Sequence, residues 1–205
     1  MGDLVRRTAP DMDSTQIFKN LYSRLDQDLP YYLYYHCADH TRSVVERAIF
    51  LSQEENLSEE ETYLIKIAAL YHDAGFLIGR KDHETKSCEL ATNELPEYGF
   101  SSSEIEKICG MISATRIPQQ THNIYEKIVA DADLFYLGTN EYNFYSNQLY
   151  RELKHMKPDI DEEEWYHIQL DFLKAHTFHT NYGLKILDPV KQLNMRKLID
   201  SRQSR

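Results

Sequence analysis

The sequence has few cysteines, and none of them stands in a pattern that forms a disulfide or a zinc site. Cys37, Cys88 and Cys109 are odd in number and show no C-x-x-C spacing. Both features argue against a disulfide framework and against a site built from thiolates. We therefore expect three free, reduced thiols.

Positive charge and long apolar runs are also scarce. The 205 residues include 23 lysines and arginines against 33 aspartates and glutamates, which gives a formal net charge of −10. Nucleic acids are bound mainly through a basic surface, so we expect no nucleic-acid partner, although a small anionic ligand held by a metal stays compatible with this charge.

No segment approaches 18 consecutive apolar residues, and MGDLVRRTAPDMD at the N-terminus has no apolar core. We expect a cytoplasmic protein with no membrane partner.

Strand-like alternation of polar and apolar residues is missing, whereas apolar residues recur at helical spacing along nearly the whole chain. This pattern predicts an all-α fold.

Because no loop is long enough to join two domains, we expect one domain over residues 1–205. Its core would cover about residues 30–140, with C-terminal helices in residues 141–205 packed on it. The predicted helices are 15–25, 40–53, 58–75, 84–95, 101–115, 124–138, 141–155, 162–174 and 190–199.

One apolar helix ends on two side chains that commonly bind metal ions. In AALYHDAGF, residues 68–76, His72 and Asp73 follow the apolar stretch directly. Ala74 and Gly75 come next, and their small size leaves space beside the helix end for an ion and its waters. A His-Asp dipeptide is common by chance, so only its context gives it meaning.

A second segment, YYHCADHTRSVVERA at residues 34–48, carries two histidines four positions apart. If the helix begins before His36, then His36 and His40 share one face and could hold one ion together. If the helix begins near Asp39, only His40 is helical.

A third segment, IVADADLFYLG at residues 128–138, is apolar except for Asp131 and Asp133. A carboxylate buried in such a segment costs several kcal/mol unless it is paired or bound to a metal. We therefore expect a positively charged partner near these two aspartates.

Together the three segments resemble the ordered ligand set of the HD-domain metal-dependent phosphohydrolases. The lead-in Y-H-x-x-x-H-T is also similar to the metal-binding region of cyclic-nucleotide phosphodiesterases, which belong to the same broad superfamily. The resemblance covers about residues 30–140 and implies an HD-type helical bundle. In related motifs the ligand is usually the aspartate followed by an apolar turn, which favours Asp133 over Asp131 and leaves Asp131 to orient a histidine or a water, although the sequence alone does not decide between the two. By position, the implied metal ligands are His40, His72, Asp73 and Asp133, and the implied catalytic residues are Asp73 and the general acid His36.

Such a site of imidazoles and carboxylates suits one divalent ion of manganese, iron, cobalt, nickel or zinc. Four protein ligands would leave two positions on a six-coordinate ion for water or substrate oxygen. The resemblance then implies that a metal-bound hydroxide hydrolyses a phosphoester of a nucleotide or cyclic nucleotide, while His36 protonates the leaving alkoxide. The alternative is a non-catalytic, metal-stabilised HD module that binds nucleotides or has a regulatory role.

Three further residues are candidates for binding a small phosphorylated substrate. Arg116 would supply a bidentate fork and Lys81 a point charge for the phosphate, although both could equally be solvated loop cations. His83 is the third candidate, and it occupies the position at which many HD proteins have the first histidine of a second metal site. Residues 113–116 read Ser-Ala-Thr-Arg where another such histidine is expected, so we expect a single ion. A homo-oligomer is compatible with the sequence.

Four more histidines lie in the C-terminal third of the chain. Because a lone histidine on an apolar face is usually a hydrogen-bonded core residue, we expect this role for all four. His176 and His179, placed on a predicted C-terminal helical segment, could instead close the pocket. The four residues are His155, His167, His176 and His179.

Overall fold

The computed structural model describes residues 14–203. In this part of the chain the helices follow one another through short connections and no strand occurs, which confirms the predicted all-α fold class. The N-terminal segment MGDLVRRTAPDMD, residues 1–13, lies outside the described residues. The helices are α1 Ser14–Asp28, α2 Ala38–Glu54, α3 Glu59–Tyr71, α4 His83–Glu94, α5 Ser102–Ser113, α6 Ile124–Asp133, α7 Tyr142–Met156, α8 Glu162–Ala175 and α9 Asp188–Gln203.

Helix α3 lies at the centre of the bundle. It packs against α2, α4, α5 and α6, and its residues from Ile67 to Tyr71 are all fully buried. A helix that is covered on several sides needs apolar residues around most of its circumference rather than along one stripe. The position of α3 therefore explains the unbroken apolar run that precedes the His-Asp pair.

Capping boxes are present at the starts of two helices, where a serine and a glutamate stand three positions apart in the sequence. Ser58 accepts a hydrogen bond from the Glu61 backbone N–H, while the Glu61 carboxylate accepts one from the Ser58 backbone N–H. Ser101 and Glu104 repeat the arrangement at the start of α5. Each box satisfies N–H groups that have no partner inside the helix.

Two predicted helices end earlier than their apolar patterns suggest. The helix expected over residues 58–75 ends at Tyr71, and a 3₁₀ turn follows at Ala74–Leu77. The helix expected over residues 124–138 ends at Asp133, before a second 3₁₀ turn at Phe135–Gly138. Close packing accounts for both breaks. A Cβ atom on Gly75 would lie 2.0 Å from the carbonyl oxygen of His83, and one on Gly138 would lie 2.5 Å from the Leu187 Cβ atom.

The C-terminal helices pack against the same core. A π-helical turn, Gly183–Leu187, leads into α9, which contacts α8 and the turn Phe135–Gly138. One cluster of buried apolar residues extends from Ile17 to Leu187 and includes members of α1, α3, α5, α6 and α8. Among the described helices, none is both long enough and apolar enough to cross a membrane.

Candidate metal centre

The turn after α3 is held in place by a serine from α4. The Ser87 hydroxyl accepts a hydrogen bond from the Gly75 backbone N–H and donates one to the His72 carbonyl oxygen, both at 2.8 Å. These bonds tie the residues on either side of Asp73 to the neighbouring helix. The close approach that Gly75 permits therefore fixes the position of the His72–Asp73 pair.

Side chains from three separate segments converge at this point. The Nε2 atoms of His40 and His72 and a carboxylate oxygen of Asp133 all lie within 4.8 Å of one another. The His40 Nε2 atom is 3.1 Å from Asp133 Oδ1 and 3.4 Å from His72 Nε2. Asp73 joins them, with Oδ2 at 3.1 Å from His72 Nε2 and 3.6 Å from His40 Nε2.

The ring of His72 is oriented for metal binding through Nε2. Its Nδ1 atom lies 2.8 Å from the Ala69 carbonyl oxygen. A carbonyl can only accept a hydrogen bond, so Nδ1 must carry the proton. The lone pair of a neutral ring is then on Nε2, which faces His40 and the two aspartates. A backbone carbonyl that fixes the tautomer in this way is a usual partner of a metal-binding histidine.

The carboxylates of the centre are held in their charged form. Burial alone would raise the pKa of Asp133, but hydrogen bonds with His40 and His72 lower it to about 2. Burial would also raise the pKa of Asp73, but the adjacent rings of His72 and His83 hold it well below its usual value. For His72 the burial that would lower the pKa is outweighed by Asp73 and Asp133, which raise it.

A divalent ion fits this donor set. Within the described residues, Asp73 Oδ2 is a buried carboxylate oxygen with no hydrogen-bond partner, and an anionic oxygen in that state is costly unless a cation is close. The Nε2 atoms of His40 and His72 also face each other at 3.4 Å, with Asp133 Oδ1 within 3.6 Å of both. The residues that would hold the ion are His40, His72, Asp73 and Asp133, the set that the motifs implied.

His36 lies beside the centre and is fixed by a residue that the sequence analysis missed. Helix α2 begins at Ala38, so His36 precedes the helix and does not share a helix face with His40. The Nδ1 atom of His36 is 2.6 Å from Oε1 of Glu152, and Glu152 Oε2 accepts hydrogen bonds from the backbone N–H groups of Tyr35 and His36 at 3.0 and 3.1 Å. The His36 ring also stacks on Phe76, with ring centroids 4.4 Å apart.

Glu152 is fully buried in α7, 116 residues after His36. Burial would raise the pKa of Glu152, but the hydrogen bonds from His36 and from the two backbone N–H groups lower it. An ionised carboxylate only accepts hydrogen bonds, so Nδ1 of His36 donates and Nε2 is left free. The only sequence signal was a glutamate among the apolar positions of an amphipathic helix, and nothing local links it to His36.

The two aspartates of the third segment face different partners. The Asp131 carboxylate accepts hydrogen bonds from the backbone N–H groups of His179 and Thr180, at 2.9 and 2.8 Å, and from the Thr180 hydroxyl at 2.7 Å. The structure thus places Asp133 next to the histidines, whereas Asp131 anchors the segment after α8. Positions two apart on a helix point about 200° apart, which accounts for the separation.

The three candidates for substrate binding occupy different surroundings. His83 begins α4, and its Nε2 atom is 3.3 Å from Asp73 Oδ1. Arg116 is exposed, lies 3.5 Å from the buried Glu84 and donates a hydrogen bond to Thr85 at 2.8 Å. Lys81 is exposed in the turn before α4. Of the three, only His83 lines the cavity that opens from the centre.

The expectation of a hydrogen-bonded core residue was wrong for three of the four C-terminal histidines: two are exposed, and His176 is buried with no hydrogen-bond partner for either ring nitrogen within the described residues. His155 is exposed and stacks on Tyr32, and His167 is exposed and pairs with Glu163. His176 and His179 follow the end of α8 in a non-helical segment, since α8 ends at Ala175. Exposed positions on an amphipathic helix suit histidine as well as buried ones do, and the apolar pattern alone did not separate them.

A cavity of about 210 Å³ extends from the metal centre towards α7 and α8. Asp73, Asp133, His36 and His83 line its inner end, and side chains of α7 and α8 line much of the remainder. A ligand in the cavity would therefore have one end at the candidate metal ligands and at the free Nε2 atom of His36.

Comparison with known proteins places this site in a family. Residues 37–136, which include all four candidate metal ligands, match the family model for the HD domain. The fold is similar to the crystal structure of a predicted HD superfamily hydrolase from an uncultured Thermotogales bacterium, with a TM-score of 0.60 and 21% identity over 92% of this chain and 91% of that chain. A search of curated proteins gave no match. The resemblance seen in the sequence is thus confirmed for residues 37–136, which match the HD domain, the domain of a superfamily of metal-dependent hydrolases.

Proposed function

We propose that the protein hydrolyses a phosphoester of a nucleotide or cyclic nucleotide at this centre, as a cytoplasmic enzyme with one bound divalent ion. The observation that carries the proposal is the combination of two features at one end of one cavity. The first is the convergence of His40, His72, Asp73 and Asp133 around the partnerless Asp73 oxygen. The second is the free nitrogen of His36, which a buried carboxylate holds in place beside them.

The ion would polarise the phosphoester and activate the attacking water. The chain supplies the other functions. His36 donates a proton through Nε2 to the departing oxygen, and its bond to Glu152 holds the ring in the wall of the cavity. Phe76 stacks on the face of the His36 ring and limits its rotation. A pure binding module needs no such anchored proton donor, which supports catalysis over the regulatory alternative.

The substrate phosphate would lie between the centre and the first turn of α4. His83, already within 3.3 Å of Asp73, is the side chain from that turn that lines the cavity, and it would hydrogen bond to a phosphate oxygen. Arg116 would reach the phosphate only by leaving its contact with Glu84. Lys81 would act at longer range, as a charge near the entrance.

The test is a panel of substrates assayed with protein loaded in turn with manganese, iron, cobalt, nickel and zinc. The panel contains bis-p-nitrophenyl phosphate, cyclic nucleotides and nucleoside mono- and triphosphates, and metal content is measured on the same samples. Hydrolysis with at least one metal supports the proposal. One bound equivalent of metal with no hydrolysis of any ester would refute it and favour the metal-stabilised binding module.

The role of His36 is tested separately. His36→Ala should retain the metal and lose about 10²- to 10⁴-fold in kcat, the usual contribution of a general acid. His167→Ala is the matched control, because His167 is exposed on α8 and also pairs with a glutamate. If His36→Ala keeps full activity, the proton-donor role is wrong.

A further inference from the structure

The cavity beside the metal centre has an apolar outer part. Helix α7 contributes Leu149 and Leu153 to it, and α8 contributes Trp165, Ile168 and Phe172. Its mouth is marked by exposed apolar side chains, Ile117 at 53% and Ile168 at 41% exposure. Cavities with such walls gain free energy from apolar groups and lose it when they desolvate polar ones.

Charge in the cavity is confined to its inner end and is mostly negative. Asp73, Asp133 and Glu84 line that end, and neither lysine nor arginine is found among the lining side chains in the part of the chain that the structure describes. The nearby Arg116 is engaged with Glu84. One bound divalent ion would compensate the negative charge of the carboxylates and so allow a single phosphate to bind. A second or third phosphate would be repelled by these carboxylates, because no further cation lies beside them.

The few polar groups in the outer part bond to one another. The hydroxyls of Tyr142 and Ser146 both donate to Oε1 of Gln169, the former at 2.9 Å. The Gln169 amide nitrogen in turn lies 3.5 Å from the Trp165 carbonyl oxygen. A ligand with many polar groups would have to break these bonds or leave its own groups unsatisfied, at a cost in either case.

From these observations we infer that the cavity binds the organic group of the phosphoester and selects one that is uncharged and mainly apolar, so that the scissile phosphate is the only charged group of the substrate. The inference rests on the proposed function and narrows it. Among nucleotides it selects those with a single phosphate over di- and triphosphates. A volume of about 210 Å³ exceeds the roughly 150 Å³ of an apolar cavity known to hold benzene, so an aryl or medium-length alkyl group fits.

The test uses p-nitrophenyl phosphodiesters whose second ester group is methyl, butyl or hexyl. All three release the same reporter, so the scissile bond stays constant while the apolar group grows. Full burial of each added methylene raises kcat/KM by up to about fourfold, so we expect a steady rise along the series until the cavity is filled. Nucleoside triphosphates should be hydrolysed more slowly than the corresponding monophosphates.

A charge placed at the mouth gives a variant that should still fold. Ile168→Lys changes an exposed rim position, and Ile186→Lys, at a residue that is 51% exposed and does not line the cavity, is the matched control. Ile168→Lys should lower kcat/KM for the hexyl ester about tenfold more than it lowers kcat/KM for the methyl ester. The control variant should change neither value.

Calorimetry separates failure of this inference from failure of the proposed function. Hexylphosphonate and methylphosphonate, which cannot be hydrolysed, are titrated into metal-loaded protein. Tighter binding of the hexyl compound without hydrolysis of any ester would sustain the cavity's selectivity and remove the proposed function. Hydrolysis with equal kcat/KM along the ester series, or faster hydrolysis of triphosphates, would overturn the selectivity and leave the function in place.

Discussion

Replacement of Glu152 by glutamine is the sharpest test of how His36 is positioned. The Glu152 carboxylate accepts three hydrogen bonds, two from backbone N–H groups and one from the His36 ring. A glutamine of the same shape has one accepting oxygen and one donating nitrogen, so it cannot satisfy three donors. Either the two backbone groups or the ring must lose its acceptor.

The structure indicates which partner is lost. Leaving two buried N–H groups unsatisfied costs about 2–6 kcal/mol, whereas loss of one charge-assisted bond to the ring costs about 1.5–3 kcal/mol. We therefore expect the glutamine oxygen to stay on the backbone and its nitrogen to face Nδ1 of His36. The His36 ring must then accept a hydrogen bond at Nδ1 and carry its proton on Nε2. The negative charge of Glu152, which would stabilise a doubly protonated ring, is absent from this variant. Converted at 1.4 kcal/mol per tenfold, kcat should fall about 10- to 150-fold.

The assay compares Glu152→Gln with Glu163→Gln, which removes an exposed carboxylate of α8 that pairs with His167 and with Arg202. Metal content should stay the same in both variants, because neither residue is among the candidate ligands. Unfolding in urea should show a loss of no more than about 3 kcal/mol for Glu152→Gln. Unchanged kcat with intact metal would refute the positioning role, and loss of metal would show that Glu152 supports the centre rather than the proton donor.

Three further predictions concern the metal, the packing and the pH dependence of stability. His72→Ala should lower metal affinity by more than about 100-fold, since even loss of an outer hydrogen-bond partner costs 10- to 100-fold, while His167→Ala retains the metal, as measured by elemental analysis. Gly183→Ala should cost about 1–3 kcal/mol in urea unfolding, because its Cβ atom would lie 2.4 Å from a buried carboxylate oxygen, whereas Gly110→Ala, with its nearest neighbour at 3.5 Å, should cost nothing. The pKa of Glu152 is lowered in the folded state from its usual 4.5, so the ionised carboxylate stabilises the fold above that pH. The difference in unfolding free energy between wild type and Glu152→Gln should therefore shrink as the pH falls below about 4.5. A difference that stays constant with pH would contradict this prediction.

Sequence reasoning was strongest where the information is local. Capping boxes at Ser58 and Ser101 depend on side chains three residues apart, and both are present. The spacing of apolar residues located the helices to within a few positions, because a buried helix face follows directly from the 3.6-residue period. Order and residue type also sufficed to select the four side chains that the fold brings together, although their role as ligands stays a prediction.

Local patterns were weakest where distant parts of the chain decide the outcome. The early ends of α3 and α6 depend on close approaches by His83 and Leu187, which no apolar pattern encodes. Glu152 acquires its role only because α7 folds against the residues that precede α2. The same holds for the outer cavity, whose walls come from helices that lie beyond the segments carrying the motif.

Asp131 and Asp133 link two parts of the molecule through a single helical turn. The Asp131 carboxylate is hydrogen bonded to the segment that follows α8, and the Asp133 carboxylate faces the imidazole rings of the metal centre. A displacement of this segment would be transmitted through the helical backbone of α6 to Asp133, which lies on the opposite side of that helix. The segment after α8 and helix α9 therefore support the candidate metal site, and a chain shortened to end at Ala175 should bind a divalent ion more weakly even though all four candidate ligands are still present.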